Sequence, residues 1–267
     1  MTPNTHSDRP PGSSDARLLR ERVLLLLGLS LFRQALAEIH ERPRWETDPE
    51  ALRQLGLVMQ AFAPRSKDRR CTYTFARALY WTAATYTRDP LLHAELLVDV
   101  GTSYFEEGRL DDAVNELELS LALVRWKHRA HLALLAIACA TRDLAAIRRR
   151  CAAFLEDVPR WHASRDAVAL LAADPDFAFL RASPGLVLEC FGCHPDHLRA
   201  LHDRYCLETL EQALASFDPP EHAELPDSLE ITNLVRETFA SVEPILRSPA
   251  CQIRGLSPAS LQARIGF

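Results

Sequence analysis

From residue 48 to residue 173 the apolar side chains return every three or four positions, and no alternating apolar–polar run of strand length interrupts them. Side chains that recur with a period near 3.6 lie on one face of a helix, so this pattern commits the chain to an all-α fold. Proline, glycine and charged turns cut the pattern into helices near 48–63, 70–87, 91–107, 110–124, 128–141, 143–156 and 161–173. Two of these start at Asp-Pro, Asp48-Pro49 and Asp89-Pro90, where the aspartate can cap the helix and the fixed φ of proline suits its first turn. Connections this short make successive helices antiparallel neighbours.

The flanks read differently. Residues 1–14 are rich in Pro, Ser, Asn and Gly without apolar periodicity and are expected to form a disordered tail. Asp15 then caps a long apolar helix reaching Glu41 and closed by Pro43. The run from Val23 to Phe32, preceded by Arg17, Arg20 and Arg22 and followed by Ala35-Leu36-Ala37, imitates the parts of a signal peptide over 23–37. It is shorter than the roughly 20 residues a bilayer span needs. Its pattern also continues past Ala37 to Ile39 at helical spacing, as a core helix would, so a cytoplasmic protein is expected. After Pro159 the spacing loosens, with breaks at 173–177 and 183–185. Further helices are expected at about 195–217 and 228–246, parted by a linker at 218–226 with three prolines. The expected organisation is a tail (1–14), a helical-repeat domain (15–185) and a C-terminal helical extension (186–267).

Within 94–127, Leu97, Val100, Gly101, Tyr104, Gly108, Ala113, Leu117 and Ser120 fall at the offsets of a helix-turn-helix hairpin of roughly 34 residues. Small residues at Gly101 and Ala113 would let the two helices approach closely, Tyr104 would fill the space between them, and Gly108 would open the turn. This stretch resembles the tetratricopeptide repeat. A weaker unit follows at 128–161 through Leu134, Ile147, Cys151, Phe154 and Pro159, departing from the pattern with Leu135 for the small glycine and Ala138 for an aromatic. A preceding unit over about 49–89 passes through Leu55, Gly56 and Met59 but needs an insertion around Arg65 to Arg70. Ala173 to Phe177 is similar to an Asp-Pro-Asp-Phe segment that closes groups of such repeats.

The resemblance implies an α-solenoid whose first helices line a concave groove for a peptide or helix of another protein, with no catalysis and no cofactor. At matching positions the groove residues are Glu95, Val98, Thr102, Phe105 and Glu106, then Arg129, Leu132, Ala136 and Cys139. Of these, Glu95, Thr102, Phe105, Glu106, Arg129 and Leu132 are the candidate partner contacts. Phe105 and Tyr104 are adjacent and cannot enter the same seam, so one of them is expected either to anchor a partner or to be covered by a third helix. On this reading Phe105→Ala and Arg129→Glu weaken partner capture without unfolding the chain.

One string could carry chemistry. Cys190 and Cys193 have the two-residue gap of zinc ligands, and His197 with His202 or Cys206 could complete a tetrahedron. His202 and Cys206, four apart, share a helix face better than His197 and His202 do. Cys190-x-x-Cys193-His194 is also a haem-attachment pattern, which would require export. Against both stands the simpler reading of core thiols and solvated histidines. No phosphate-cradling glycine loop, Gly-x-Ser-x-Gly elbow or His-Glu-x-x-His helix occurs. A net charge of −5 argues against a protein that coats nucleic acid, and seven cysteines, an odd number, suit reduced thiols rather than a disulfide framework. The basic stretches at Arg65 to Arg70 and Arg148 to Arg150 are read as a solvated loop and a solvated stripe.

Overall fold

The computed structural model describes residues 19, 22–23, 32–193, 196–201, 203 and 228–246. Every regular element among them is helical: α1 (Phe32–His40), α2 (Pro49–Phe62), α3 (Arg69–Tyr86), α4 (Pro90–Glu107), α5 (Leu110–Leu123), α6 (His128–Ala140), α7 (Leu144–Asp157), α8 (Arg165–Ala173), α9 (Ala178–Arg181), α10 (Pro184–Phe191) and α11 (Ser228–Leu246). From α2 to α7 the observed ends fall within a residue or so of those expected from periodicity and punctuation. The reason is local. Asp48, Asp68, Asp89 and Asp143 each accept a hydrogen bond from a first-turn backbone N–H, satisfying donors that the helix itself leaves unpaired. The tail 1–14, residues 24–31 of the signal-like run, most of the helix expected at 195–217 and the linker at 218–226 lie outside the described residues.

Two compact units result, 1–87 with 222–267 and 88–221. The division falls inside the segment 15–185 that the sequence reads as one domain. In the first unit α1 packs on α2, α2 on α3, and α3 on α11, where Phe75 and Phe239 meet edge to face at 5.4 Å. Gly56 makes the α2–α3 contact possible, because a Cβ there would lie 2.4 Å from Cε1 of Tyr80, whose hydroxyl donates to Gln60 Oε1 at 2.8 Å.

In the second unit α4 pairs with α5 and α6 with α7, and a 34-residue correspondence runs between the two hairpins. The second helices, Leu110–Leu123 and Leu144–Asp157, coincide at both ends when shifted by that amount. Their buried residues coincide too: Ala113, Leu117 and Ser120 on α5, Ile147, Cys151 and Phe154 on α7. The turns match in backbone as well. Gly108 takes the left-handed conformation at φ 85°, and Arg142, its counterpart, takes the same region at φ 54° without a glycine to ease it. Tight packing at Gly101 agrees with the sequence reading, since a Cβ there would stand 2.8 Å from Leu117 Cγ and 3.3 Å from the Ala113 carbonyl oxygen.

Candidate partner-binding surface

The seam between α4 and α6, the first helices of the two hairpins, carries a charged cluster. Glu95 and Asp99 are one turn apart on α4, and Asp99 is fully buried between Val98 and Val100. Arg129, on the first turn of α6, donates from Nη1 to Glu95 Oε2 at 2.6 Å and lies 3.1 Å from Asp99 Oδ1. Lys127, also buried, pairs with Glu95 Oε1. Glu95 and Arg129 are the same position in successive units, so their bond ties one first helix to the next. Two acids and two bases balance, and charges this far from solvent persist only when compensated. On the same first turn of α6, His131 is buried with Nε2 2.9 Å from the Arg125 carbonyl oxygen and 3.4 Å from Asp157 Oδ2.

The candidate contacts therefore separate into two groups. Thr102 is half-buried, its hydroxyl donating to the Asp99 carbonyl oxygen at 3.0 Å, and Glu106 is exposed. Both remain at the surface of α4. Glu95 and Arg129 are instead engaged with each other, with 13% and 22% of their side-chain surface accessible. Arg129→Glu would set a third carboxylate beside Glu95 and Asp99, so the expectation that this change spares the fold does not suit its environment. Leu132 is 1% exposed and is core. Every residue from Ala130 to Cys139 is buried, Ala136 and Cys139 included, because the chain from Trp161 to Phe191 packs over α6. The Asp-Pro-Asp-Phe segment takes part in that cover. Asp174 Oδ1 accepts from the Asp176 N–H, Phe177 inserts into the core, and Arg181 Nη1 donates to the carbonyls of Leu171 and Asp174.

Phe105 and Tyr104 do diverge, and neither is fully exposed. Tyr104 packs on the cluster around Leu117 and Leu134, with the Arg109 guanidinium 4.5 Å above its ring. Phe105 touches that cluster and also the larger one containing Leu132, Trp161 and Phe177. Phe105 is thus half-covered by this packing and keeps an accessible edge.

The cysteines do not converge as zinc ligands within the described residues, where no group of three or more His, Cys, Asp or Glu side chains could hold a metal ion. Cys190 is buried in the same apolar cluster as Cys151 of α7, a neighbour its spacing to Cys193 does not suggest. Cys193 is half-buried at the edge of the same cluster, His197 is exposed, and His194, His202 and Cys206 lie outside the described residues. Burial pushes the Cys139 thiol up to about 11 and raises Cys151 and Cys190 as well, which keeps all three as inert neutral thiols. The α7–α10 contact is closed outside by a two-bond ion pair, Arg148 Nε and Nη2 to Glu189 at 2.7 and 3.1 Å, which holds the Glu189 carboxyl below its usual range. Arg150 pairs with Glu118 at 2.6 Å, so two of the three arginines in the stripe bridge neighbouring helices while remaining at the surface. Asp99 and Lys127 went unremarked in the sequence reading. The one available signal was an acid at a position flanked by valines inside an otherwise apolar helix.

Compared with family models, with curated proteins and with solved structures, the chain finds no match.

Proposed function

We propose that this protein is a non-catalytic, tetratricopeptide-like adaptor that holds a peptide or helix of a partner protein and works in the cytoplasm. The observation that carries this reading is the 34-residue correspondence between the α4–α5 and α6–α7 hairpins, locked by the Glu95–Arg129 bond between equivalent positions. Stacked hairpins of this period present a continuous surface from their first helices. Because α6 is covered, the surface offered to a partner is that of α4, around Thr102, Glu106 and the accessible edge of Phe105. An apolar anchor followed by a basic residue suits it, the first against Phe105 and the second beside Glu106. The five described cysteines, Cys71, Cys139, Cys151, Cys190 and Cys193, form no disulfide, which accords with a reducing compartment, and no helix among the described residues is long and apolar enough to cross a membrane.

Selection of peptides from a display library on the full chain, followed by calorimetric titration, tests the proposal. Thr102→Arg and Glu106→Lys are expected to weaken a selected peptide at least about tenfold while leaving the melting temperature unchanged. Failure to obtain any saturable binder, or binders indifferent to both changes, would reject the adaptor reading.

A further inference from the structure

The face of the second unit opposite α4 carries an apolar stripe that its own fold does not use. On α5 and the turn after it, Leu119 is 54% exposed, Leu123 49% and Trp126 57%, with exposed Ala122 between them. Leu119, Ala122 and Leu123 fall at i, i+3 and i+4 of α5, the spacing of a helix prepared for another helix, and Trp126 extends the apolar surface from the turn that follows. The neighbouring hairpin serves as an internal control. Shifted by 34, the same four positions on and after α7 are Ala153, Glu156, Asp157 and Arg160, so the architecture accepts polar groups there. The stripe belongs to α5 and not to the repeat.

We propose that the stripe is a homodimer contact, in which α5 packs antiparallel on α5 of a second copy about a two-fold axis between Ala122 and Leu123. That axis sets Leu119 of each copy against Trp126 of the other and leaves small Ala122 at the centre, where the helices come closest. It also brings Glu118 of each copy toward Arg125 of the other, so the flanking charges are self-complementary, as an isologous interface requires. Glu118 is now paired with Arg150 at the surface, a contact that exchanges at little cost, and Arg125 can turn toward the second copy by releasing exposed Glu156 while its Nε keeps the largely buried Asp157 at 2.6 Å. The three large side chains form a patch on the order of 300 Å², the size at which exposed apolar surface is usually functional. Burying it twice, with its rim, reaches roughly 1,000 Å², which suits a specific but weak dimer.

Sedimentation equilibrium of the full chain between about 1 and 100 µM is the test, since that range brackets a micromolar dissociation constant. The wild type is expected to pass from monomer to dimer. Leu123→Asp and Trp126→Asp, both at exposed positions, each weaken association at least about tenfold, while Leu144→Asp, exposed but away from the stripe, does not. Glu118→Arg and Arg125→Glu each weaken it, and the two together restore it, because each copy supplies both partners. A wild type that stays monomeric to about 100 µM, or a dimer indifferent to the stripe changes, overturns the proposal.

Discussion

Replacing Gly101 by alanine tests the tightest contact of the second unit. In an exposed helix this exchange would stabilise by about 1 kcal/mol, since glycine pays the larger entropy of ordering. Here the new methyl would stand 2.8 Å from Leu117 Cγ, 3.0 Å from Cδ2 and 3.3 Å from the Ala113 carbonyl oxygen. Leu117 is fully buried within the cluster of Val98, Ala113, Ala130 and Leu134, so it has nowhere to swing and the helices must part. Overpacking of this kind costs about 1–3 kcal/mol and outweighs the propensity gain, leaving a net loss of about 1 kcal/mol, or about 3 for Gly101→Leu. The sharper measurement is a cycle with Leu117→Ala. Alone that change opens a cavity at a cost of about 2–5 kcal/mol. In the Gly101→Ala background the methyl enters the vacated space, so the double variant is more stable than additivity predicts by about 1–2 kcal/mol. Urea unfolding at 25 °C, followed by far-ultraviolet circular dichroism, reads all four proteins. A Gly101→Ala protein more stable than the wild type, or strict additivity with Leu117→Ala, would refute the close approach.

Phe105→Ala removes a ring that bridges two core clusters and is expected to cost about 2 kcal/mol, less than a fully buried phenylalanine; an unchanged melting temperature would return Phe105 to the partner surface. Arg129→Met leaves fully buried Asp99 without its guanidinium and Glu95 with Lys127 alone, and should cost about 3 kcal/mol, with Arg129→Glu worse still because it adds a third carboxylate. Insensitivity of the urea midpoint to either change would count against the buried network. The thiols set a pH dependence: Cys139, Cys151 and Cys190 keep their protons in the folded chain above pH 9, where unfolded thiols have lost theirs, so the unfolded state binds fewer protons and stability falls as pH rises from about 9 toward 11. Cys139→Ala should flatten that decline, and alkylation of the native protein should reach half-buried Cys193 before Cys139 or Cys151.

Much of the fold was legible because its determinants lie within a few residues of one another. Asp48-Pro49 and Asp89-Pro90 start helices by capping chemistry that needs no distant partner, and Gly101, Gly108 and Ala113 mark close approach and turn by their size alone. The candidate surface was legible only in half. Thr102 and Glu106 lie at the surface as offsets along α4 predict, but Leu132, Ala136 and Cys139, read by the same offsets, are covered by the later chain from Trp161 to Phe191. Periodicity states which face a residue occupies and not what arrives to cover that face.

Helix positions, their antiparallel pairing and the 34-residue spacing of the hairpins were thus determined by the order of amino acids, through backbone hydrogen bonding and local apolar pattern. Which arginine meets which carboxylate, that Cys190 shares a buried cluster with Cys151, and that Phe105 is half-covered were decided by tertiary structure alone. The physical reason is range: a cap or a turn is settled within one or two turns of helix, whereas burial and ion pairing depend on surfaces that become neighbours only after the helices have docked.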